Sequence, residues 1–329
     1  MASVLAALGM SGAGRLHRDA LVVDLHADTL LHVADAGRRF GVRSRTGHVD
    51  LPRLREGGVD VQVFAVYVAP RYAPTGGHRR AIQLLDAFDR EAGVSGRVVL
   101  CTTVEQIRTA AATGKLAAVL SIENGEAIGD RPERLDGFWR RGVRIMSLTW
   151  NGSNRLADGV GGTEHGGLSA LGRRVLQRMQ RLGMVVDVSH LSEAAFWQVL
   201  EATRGPIVAT HSNAAAVHPH RRNLTNDQLR AIGRRGGVVG VNFYPEFLGG
   251  DTVEHVLHHV DHMLRVMGPD HVALGTDYDG IGRTPRGLED VSRMPHLTEA
   301  MIRRGYAPEV VRKILGENAL RVFRQVWGR

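Results

Sequence analysis

The most informative stretch of this sequence is Leu21-Val22-Val23-Asp24-Leu25-His26-Ala27-Asp28, a short apolar run that ends in histidine and aspartate. A short, continuous Val/Leu-rich run is typical of a strand buried on both faces of a parallel sheet. Seven further runs of this kind follow: Val59–Val68, Ala117–Ile122, Val143–Thr149, Met184–Val188, Ile207–Thr210, Val238–Phe243 and Val272–Thr276. The sequence therefore predicts eight buried strands.

Amphipathic stretches separate most of these runs. The clearest predicted helices are Gly172–Leu182, Glu193–Thr203, Asp227–Arg235 and Thr252–Met267. Eight strands alternating with helices predict an α/β fold, a (β/α)8 TIM-type barrel, with a doubly wound open sheet as the alternative. We expect one domain over residues 1–329, with residues 1–20 as an N-terminal extension and helical insertions, above all in Ala69–Lys115.

The composition excludes a disordered chain, a collagen-like chain and a disulfide scaffold. Hydrophobic residues make up 43% and charged residues 23%, which is ordinary for a globular chain. The formal charge of +8 comes almost entirely from scattered arginines, without a basic run, so no nucleic-acid partner is expected. No apolar stretch reaches about 18 residues, and no basic residue precedes the apolar N-terminus. With Cys101 as its single cysteine, the chain is predicted to be cytoplasmic, with no membrane partner.

Histidines and carboxylates follow five of the eight runs. They are His26 and Asp28 after the first run, Glu123 after the third, His190 after the fifth, His211 after the sixth and Asp277 after the eighth. In a barrel the carboxyl ends of all strands meet at one face, where active sites lie. Three imidazoles and three carboxylates without a thiolate are typical of a catalytic rather than a structural metal site. The alternative is a set of unrelated capping and surface residues.

The spacing of these residues predicts two metal ions. His26 and Asp28 lie two positions apart on a strand, so that both side chains face the same side. Glu123 can bridge that pair to His190 and His211, and Asp277 then remains to handle a proton. Two metals about 3.5–4 Å apart clamp a hydroxide and polarise a carbonyl. Asp24 and Asp187 lie inside their runs and are expected to support these residues.

With these residues in hand, the chain resembles the renal (membrane) dipeptidase family of binuclear zinc peptidases, over about Leu21 to Val326. Besides the opening stretch, the resemblance depends on the segments 121–125, 187–190, 211–214, 221–223, 241–244, 275–280, 287–292 and 317–323. It implies an amidohydrolase-type barrel and a homodimer. It also implies a small peptide substrate, hydrolysed by a metal-bridging hydroxide, with a C-terminal D-residue as a family trait.

The resemblance also assigns individual roles. One zinc is implied on His26, Asp28 and Glu123, and a second on Glu123, His190 and His211, so that Glu123 bridges two Zn²⁺ per chain and is counted with the catalytic residues. Arg222 corresponds to the arginine that holds the C-terminal carboxylate of the substrate. Asp277 corresponds to the acid/base that passes a proton to the leaving amine. Tyr244 is expected to contact the substrate.

One position departs from the family pattern. Animal-type members carry a histidine after the fourth strand, which polarises the scissile carbonyl, whereas this chain has Trp150-Asn151. Both residues are expected to contact the substrate, Trp150 by packing and Asn151 as a donor if it reaches the carbonyl. The departure keeps two alternatives open: hydrolysis of another amide, such as an N-acyl amino acid or a pathway intermediate, and a catalytically weak metal- or ligand-binding homologue.

Overall fold

The computed structural model describes residues 12–328 and contains a sheet of parallel strands. In chain order the strands are β1 (Val23–Ala27), β2 (Val61–Tyr67), β3 (Val98–Leu100), β4 (Leu116–Glu123), β5 (Val143–Ser147), β6 (Val185–Asp187), β7 (Val208–Ala209), β8 (Val238–Val241) and β9 (Val272–Leu274). Most of their buried positions are Val, Leu, Ile and Ala, because both faces of the strands are covered.

Eight of these strands close into a barrel. β1 pairs with both β2 and β9, and β2 pairs with β4, so the ring runs β1, β2, β4, β5, β6, β7, β8 and β9. The predicted barrel is confirmed, and the open sheet is wrong. Each of the eight predicted runs overlaps one strand of the barrel. β3 was not predicted: it lies in the insertion Ala69–Lys115 and pairs with the start of β4, Val98 opposite Leu116.

Helices surround the barrel. They are α1 (Gly12–Asp19), α2 (Thr29–Ala36), α3 (Leu51–Glu56), α4 (Gly77–Ser95), α5 (Val104–Ala112), α6 (Arg134–Arg140), α7 (Ala170–Leu182), α8 (Glu193–Ala202), α9 (Asn226–Arg234), α10 (Pro245–Leu248), α11 (Val253–Met267), α12 (Met294–Arg303), α13 (Pro308–Arg312) and α14 (Asn318–Trp327). Between residues 12 and 328, no helix combines the length and the apolar character needed to cross a membrane.

Local sequence explains where the helices near the site begin and end. Ser192 caps α8 by accepting a hydrogen bond from the backbone N–H of Ala195. Thr225 and Gln228 form a capping box, so α9 begins one residue earlier than predicted. Gly183 ends α7 at φ 67°, a left-handed backbone that favours glycine.

The predicted N-terminal extension is only partly described. Residues 1–11 of it lie outside the described residues, and residues 12–19 form α1. This helix packs on α12, where the ring of His17 is buried and its Nδ1 lies 2.7 Å from the Thr298 hydroxyl. The second half of the extension is therefore attached to the outer helices through the buried side chains of α1.

Candidate metal centre and active site

Two side chains from β1 and one from β4 form the first half of the site. The Nε2 atom of His26 lies 3.4 Å from Oδ2 of Asp28 and 3.5 Å from Oε2 of Glu123. His26 belongs to β1, Asp28 follows it directly, and Glu123 is the last residue of β4. The strand ends therefore bring together the predicted ligands of one metal position.

Glu123 also faces two imidazoles on its other side. Its Oε1 lies 2.9 Å from Nε2 of His190 and 3.8 Å from Nε2 of His211. The two histidines follow β6 and β7, and their Nε2 atoms are 2.8 Å apart. One carboxylate thus lies between two sets of nitrogen ligands, which is the arrangement that a bridging ligand requires.

The polar atoms of this site fit a divalent cation. Both ring nitrogens of His26 and Oδ1 of Asp28 are buried without a hydrogen-bond partner among residues 12–328. Buried polar atoms normally have partners, so unpartnered atoms on two neighbouring residues of this site fit the role of metal ligands. Mixed imidazole and carboxylate donors suit zinc and similar borderline metals.

The protonation states also suit metal binding. Burial lowers the pKa of His190 to about 4, and burial with the neighbouring His26 lowers the pKa of His211 well below its usual value. Both imidazoles are therefore neutral at pH 7, as ligands must be. Burial alone would raise the pKa of Glu123, but His26 and His190 outweigh it and hold this pKa well below its usual range. In contrast, Glu123 and Asp28 outweigh the effect of burial and raise the pKa of His26 well above its usual value, so this imidazole has to release a proton when a metal binds.

Two buried aspartates hold the strand ends in register. Asp187 accepts hydrogen bonds from the backbone N–H and the hydroxyl of Thr210, at 3.0 and 2.6 Å. Asp24 accepts hydrogen bonds from the backbone N–H and the hydroxyl of Thr276, at 2.9 and 2.7 Å. Each threonine directly precedes a residue of the site, so the expected supporting role of both aspartates agrees with these contacts.

Asp277 lies beside the first metal position. It follows β9, its Oδ1 is 3.9 Å from Nε2 of His26, and its backbone has φ 63°. A non-glycine residue in this region carries strain of about 1–3 kcal/mol, which recurs at functional sites. Burial, with Asp28 and Glu123 nearby, raises the pKa of Asp277 to about 7. A carboxyl group with this pKa can accept and release a proton near neutral pH.

Asn242 orients Asp277 and was not predicted as a site residue. Its side-chain Nδ2 donates to Oδ2 of Asp277 at 2.8 Å, and its Oδ1 accepts from the backbone N–H of Tyr244 at 2.6 Å. The second bond fixes which end of the amide faces Asp277. Asn242 lies inside the predicted run Val238–Phe243 and directly follows β8, so it has the same place at a strand end as the predicted site residues.

A buried ion pair holds the loop that carries Asp277. The carboxylate of Asp279 accepts hydrogen bonds from the guanidinium of Arg38, from the hydroxyl of Thr29 at 2.8 Å and from the backbone N–H of His48 at 2.6 Å. The side chain of Asp279 is 0% exposed and that of Arg38 is 8% exposed. This pair joins the segment after α2, which contains Arg38, to the loop after β9.

Removing the cation of this pair is expected to destabilise the fold. In Arg38→Met the Asp279 carboxylate stays buried with weaker partners, which costs about 3 kcal/mol of the free energy of unfolding. Urea denaturation of the variant measures this loss. Arg39→Met, at an exposed neighbouring arginine, is the matched control and should leave stability unchanged. Equal stability of the two variants would mean that the ion pair contributes nothing.

Arg222 lies on the loop between β7 and α9, beside His211. Its side chain is buried, Nη2 donates to the carbonyl oxygen of His211 at 3.1 Å, and the guanidinium lies 5.5 Å from the centre of the Phe247 ring. Its Nε has no partner among the described residues. An arginine with an unused donor in the wall of the cavity can bind a carboxylate.

A cavity of about 250 Å³ joins these groups. Besides the carboxylates, His190 and Arg222, its wall contains Leu31, Tyr67, Trp150, Asn151, Tyr244, Phe247, Gly280, Ile281 and Gly282. Trp150 packs against Tyr67, with ring centres 5.6 Å apart, and 6.2 Å from His190. Leu31, Tyr67, Phe247 and Ile281 were not predicted, because in a sequence aliphatic and aromatic residues of a cavity wall look like residues of the core.

The other three predicted substrate contacts, besides Arg222, all line the cavity, and one of them also contacts a predicted metal ligand. Trp150 and Tyr244 line the cavity, as a substrate contact must. Asn151 also lines it, but its Oδ1 lies 2.9 Å from Nδ1 of His190. The amide oxygen of Asn151 is therefore engaged by a predicted metal ligand, a contact that the sequence did not predict.

Known proteins share this fold and much of this sequence. A metallopeptidase of family M19, dipeptidase AC, is 33% identical, with a TM-score of 0.88 over 94% of this chain and 99% of the other. A metallopeptidase from Rhodobacter sphaeroides, solved with a phosphinate mimic of the dipeptide L-Ala-D-Ala, is 32% identical, with a TM-score of 0.86 over 94% and 99%. An uncharacterised protein in the pqqA 5' region of Klebsiella pneumoniae is 40% identical over 246 residues, 71% of this chain and 90% of its own.

A model that describes a whole protein family identifies the family of this chain. The sequence model of the membrane dipeptidase family, peptidase family M19, matches residues 10–327. This range includes every strand of the barrel and every residue of the site described above. The chain belongs to the membrane dipeptidase family of metallopeptidases.

Proposed function

We propose that this protein hydrolyses the peptide bond of dipeptides with two Zn²⁺ ions, one on His26, Asp28 and Glu123 and one on Glu123, His190 and His211. The observation that carries this proposal is the position of the Glu123 carboxylate. One of its oxygens is 3.5 Å from Nε2 of His26, and the other is 2.9 Å from Nε2 of His190. When bound, two such ions lower the pKa of a water molecule and polarise the scissile carbonyl.

The residues around the ions supply the rest of the chemistry. Asp277 accepts the proton of the attacking water and passes it to the leaving amine. Arg222 holds the C-terminal carboxylate of the substrate with a charge-assisted hydrogen bond. The cavity of about 250 Å³ suits a small substrate such as a dipeptide.

Metal analysis combined with a substrate panel tests the proposal. The panel contains L,L and L,D dipeptides and N-acyl amino acids, because the R. sphaeroides relative was solved with a mimic of L-Ala-D-Ala. We expect two zinc ions per chain and hydrolysis of dipeptides. Two zinc ions with hydrolysis of N-acyl amino acids alone would contradict the dipeptidase proposal and favour another amide. Metal binding without any turnover would indicate a homologue that only binds.

Removing the guanidinium of Arg222 is expected to weaken substrate binding. A charge-assisted hydrogen bond contributes about 1.5–3 kcal/mol, so Arg222→Met should raise KM for a dipeptide by about 10–100-fold. Steady-state kinetics measure the change. The same dipeptide with a C-terminal amide is the control, because it offers no carboxylate to Arg222. Equal losses on both substrates would mean that Arg222 acts through its contact with His211 and not through the substrate.

We also propose that the protein is a cytoplasmic homodimer that binds neither nucleic acid nor membranes. The single cysteine is compatible with a reducing compartment. A homodimer accords with the family resemblance of the sequence. Sedimentation equilibrium tests this part: we expect the mass of two 35.9 kDa chains, and the mass of one chain would contradict it.

A further inference from the structure

The side chain of Asn151 joins the substrate cavity to a metal ligand. Its Oδ1 lies 2.9 Å from Nδ1 of His190, and the other ring nitrogen of His190 lies 2.9 Å from Oε1 of Glu123. Asn151 is two residues past the predicted run Val143–Thr149, on the loop that follows β5. The imidazole of His190 therefore lies between the loop and the bridging carboxylate.

This contact determines which nitrogen of His190 carries the proton. An amide oxygen only accepts hydrogen bonds, so Nδ1 must be the donor. A neutral imidazole has one N–H, which leaves Nε2 with a free lone pair. That lone pair faces Glu123 and His211, the direction in which a metal ligand must face. The reverse tautomer would place a proton on the atom that has to bind the ion.

His211 has the same tautomer as His190, with its proton on Nδ1, but a different residue fixes it. The hydroxyl of Thr210 donates to Asp187 at 2.6 Å, so its oxygen accepts from Nδ1 of His211 at 2.8 Å. Thr210 is fully buried inside the barrel, whereas Asn151 lines the substrate cavity. The two imidazoles of the second metal position are thus oriented independently, and only one of them depends on the cavity wall.

We propose that Asn151 is a positioning residue that sets the affinity of the second metal position through the tautomer of His190. The inference rests on the proposed function, in which His190 and His211 hold one ion. Trp150 and Asn151 then have different roles: Trp150 forms part of the cavity wall, and Asn151 orients a ligand of the ion. Residues that accept the second N–H of a metal-bound histidine typically change metal affinity by about 10–100-fold when they are removed.

Metal titration of the apoprotein tests this role without any turnover. Wild type, Asn151→Ala and Asn151→Asp are titrated with Zn²⁺, and with Co²⁺ for its absorption spectrum. In Asn151→Ala we expect one of the two ions to bind about 10–100-fold more weakly and the other to bind as in wild type. Asn151→Asp keeps an acceptor for Nδ1–H and should restore wild-type affinity and spectrum.

The chain offers a matched control outside the site. Oδ1 of Asn226 lies 2.7 Å from Nε2 of His262, so the same type of contact joins α9 to α11. Asn226→Ala removes this contact and should leave both affinities unchanged. Unchanged affinities in Asn151→Ala, or equal weakening of both ions, would overturn the inference. Failure of the dipeptidase proposal looks different: wild type would bind two ions and cleave no dipeptide.

Discussion

Asp277→Asn is expected to lower kcat for dipeptides by about 10²–10⁴-fold, the usual contribution of a general acid/base. The amide has nearly the same shape as the carboxylate but cannot accept a proton from the attacking water. It also cannot protonate the leaving amine. Burial raises the pKa of the native carboxyl to about 7, so the wild-type group exchanges protons at neutral pH.

The metal content of the Asp277→Asn protein decides how the loss is interpreted. Oδ1 of Asp277 lies 3.9 Å from Nε2 of His26, and these two residues with Asp28 form one of the groups that can hold an ion. We expect two ions in the variant, as in wild type. Loss of an ion together with activity would make Asp277 a metal ligand and contradict its role in proton transfer. Wild-type kcat would contradict both roles.

The barrel could be predicted because each strand is buried on both faces. That burial makes the runs continuous and apolar, and the strand ends are then marked by the first polar residues, such as Glu123 after Ile122. Parallel strands leave their carboxyl ends at one face, so residues far apart in the chain were expected to meet. The structure brings His26, Asp28, Glu123, His190 and His211 together at that face.

Features that depend on the direction of one side chain were not predicted. Asn151 was expected to face the substrate, and its oxygen instead contacts His190. The pairing of Arg38 with Asp279 spans 241 positions of the chain, which no local pattern reveals. β3 has three residues and lies in the segment Ala69–Lys115, where helical insertions were predicted, and it pairs with β4 outside the ring of the barrel. In each case tertiary contacts, not local pattern, decide the structure.

Glu123→Gln is expected to have the broadest effect, because Glu123 is shared by both metal positions. The amide removes the buried negative charge that His26 and His190 face, and one end of it becomes a donor that cannot bind a cation. Both ions should therefore bind more weakly, and activity should fall by more than about 100-fold, the upper end for losing an outer residue. Metal analysis and dipeptide turnover measure the two losses.

Thermal unfolding with added Zn²⁺ separates a lost ligand from a damaged fold. An ion that binds only the folded state adds about 2.7 kcal/mol at 100 times its Kd, so Zn²⁺ should raise the Tm of wild-type protein. It should raise the Tm of Glu123→Gln much less. Glu126→Gln, at a glutamate outside the cavity wall, is the matched control and should respond like wild type. An equal Zn²⁺-dependent rise in Glu123→Gln would mean that the two histidine sets hold their ions without a shared carboxylate, and the bridging assignment would be wrong.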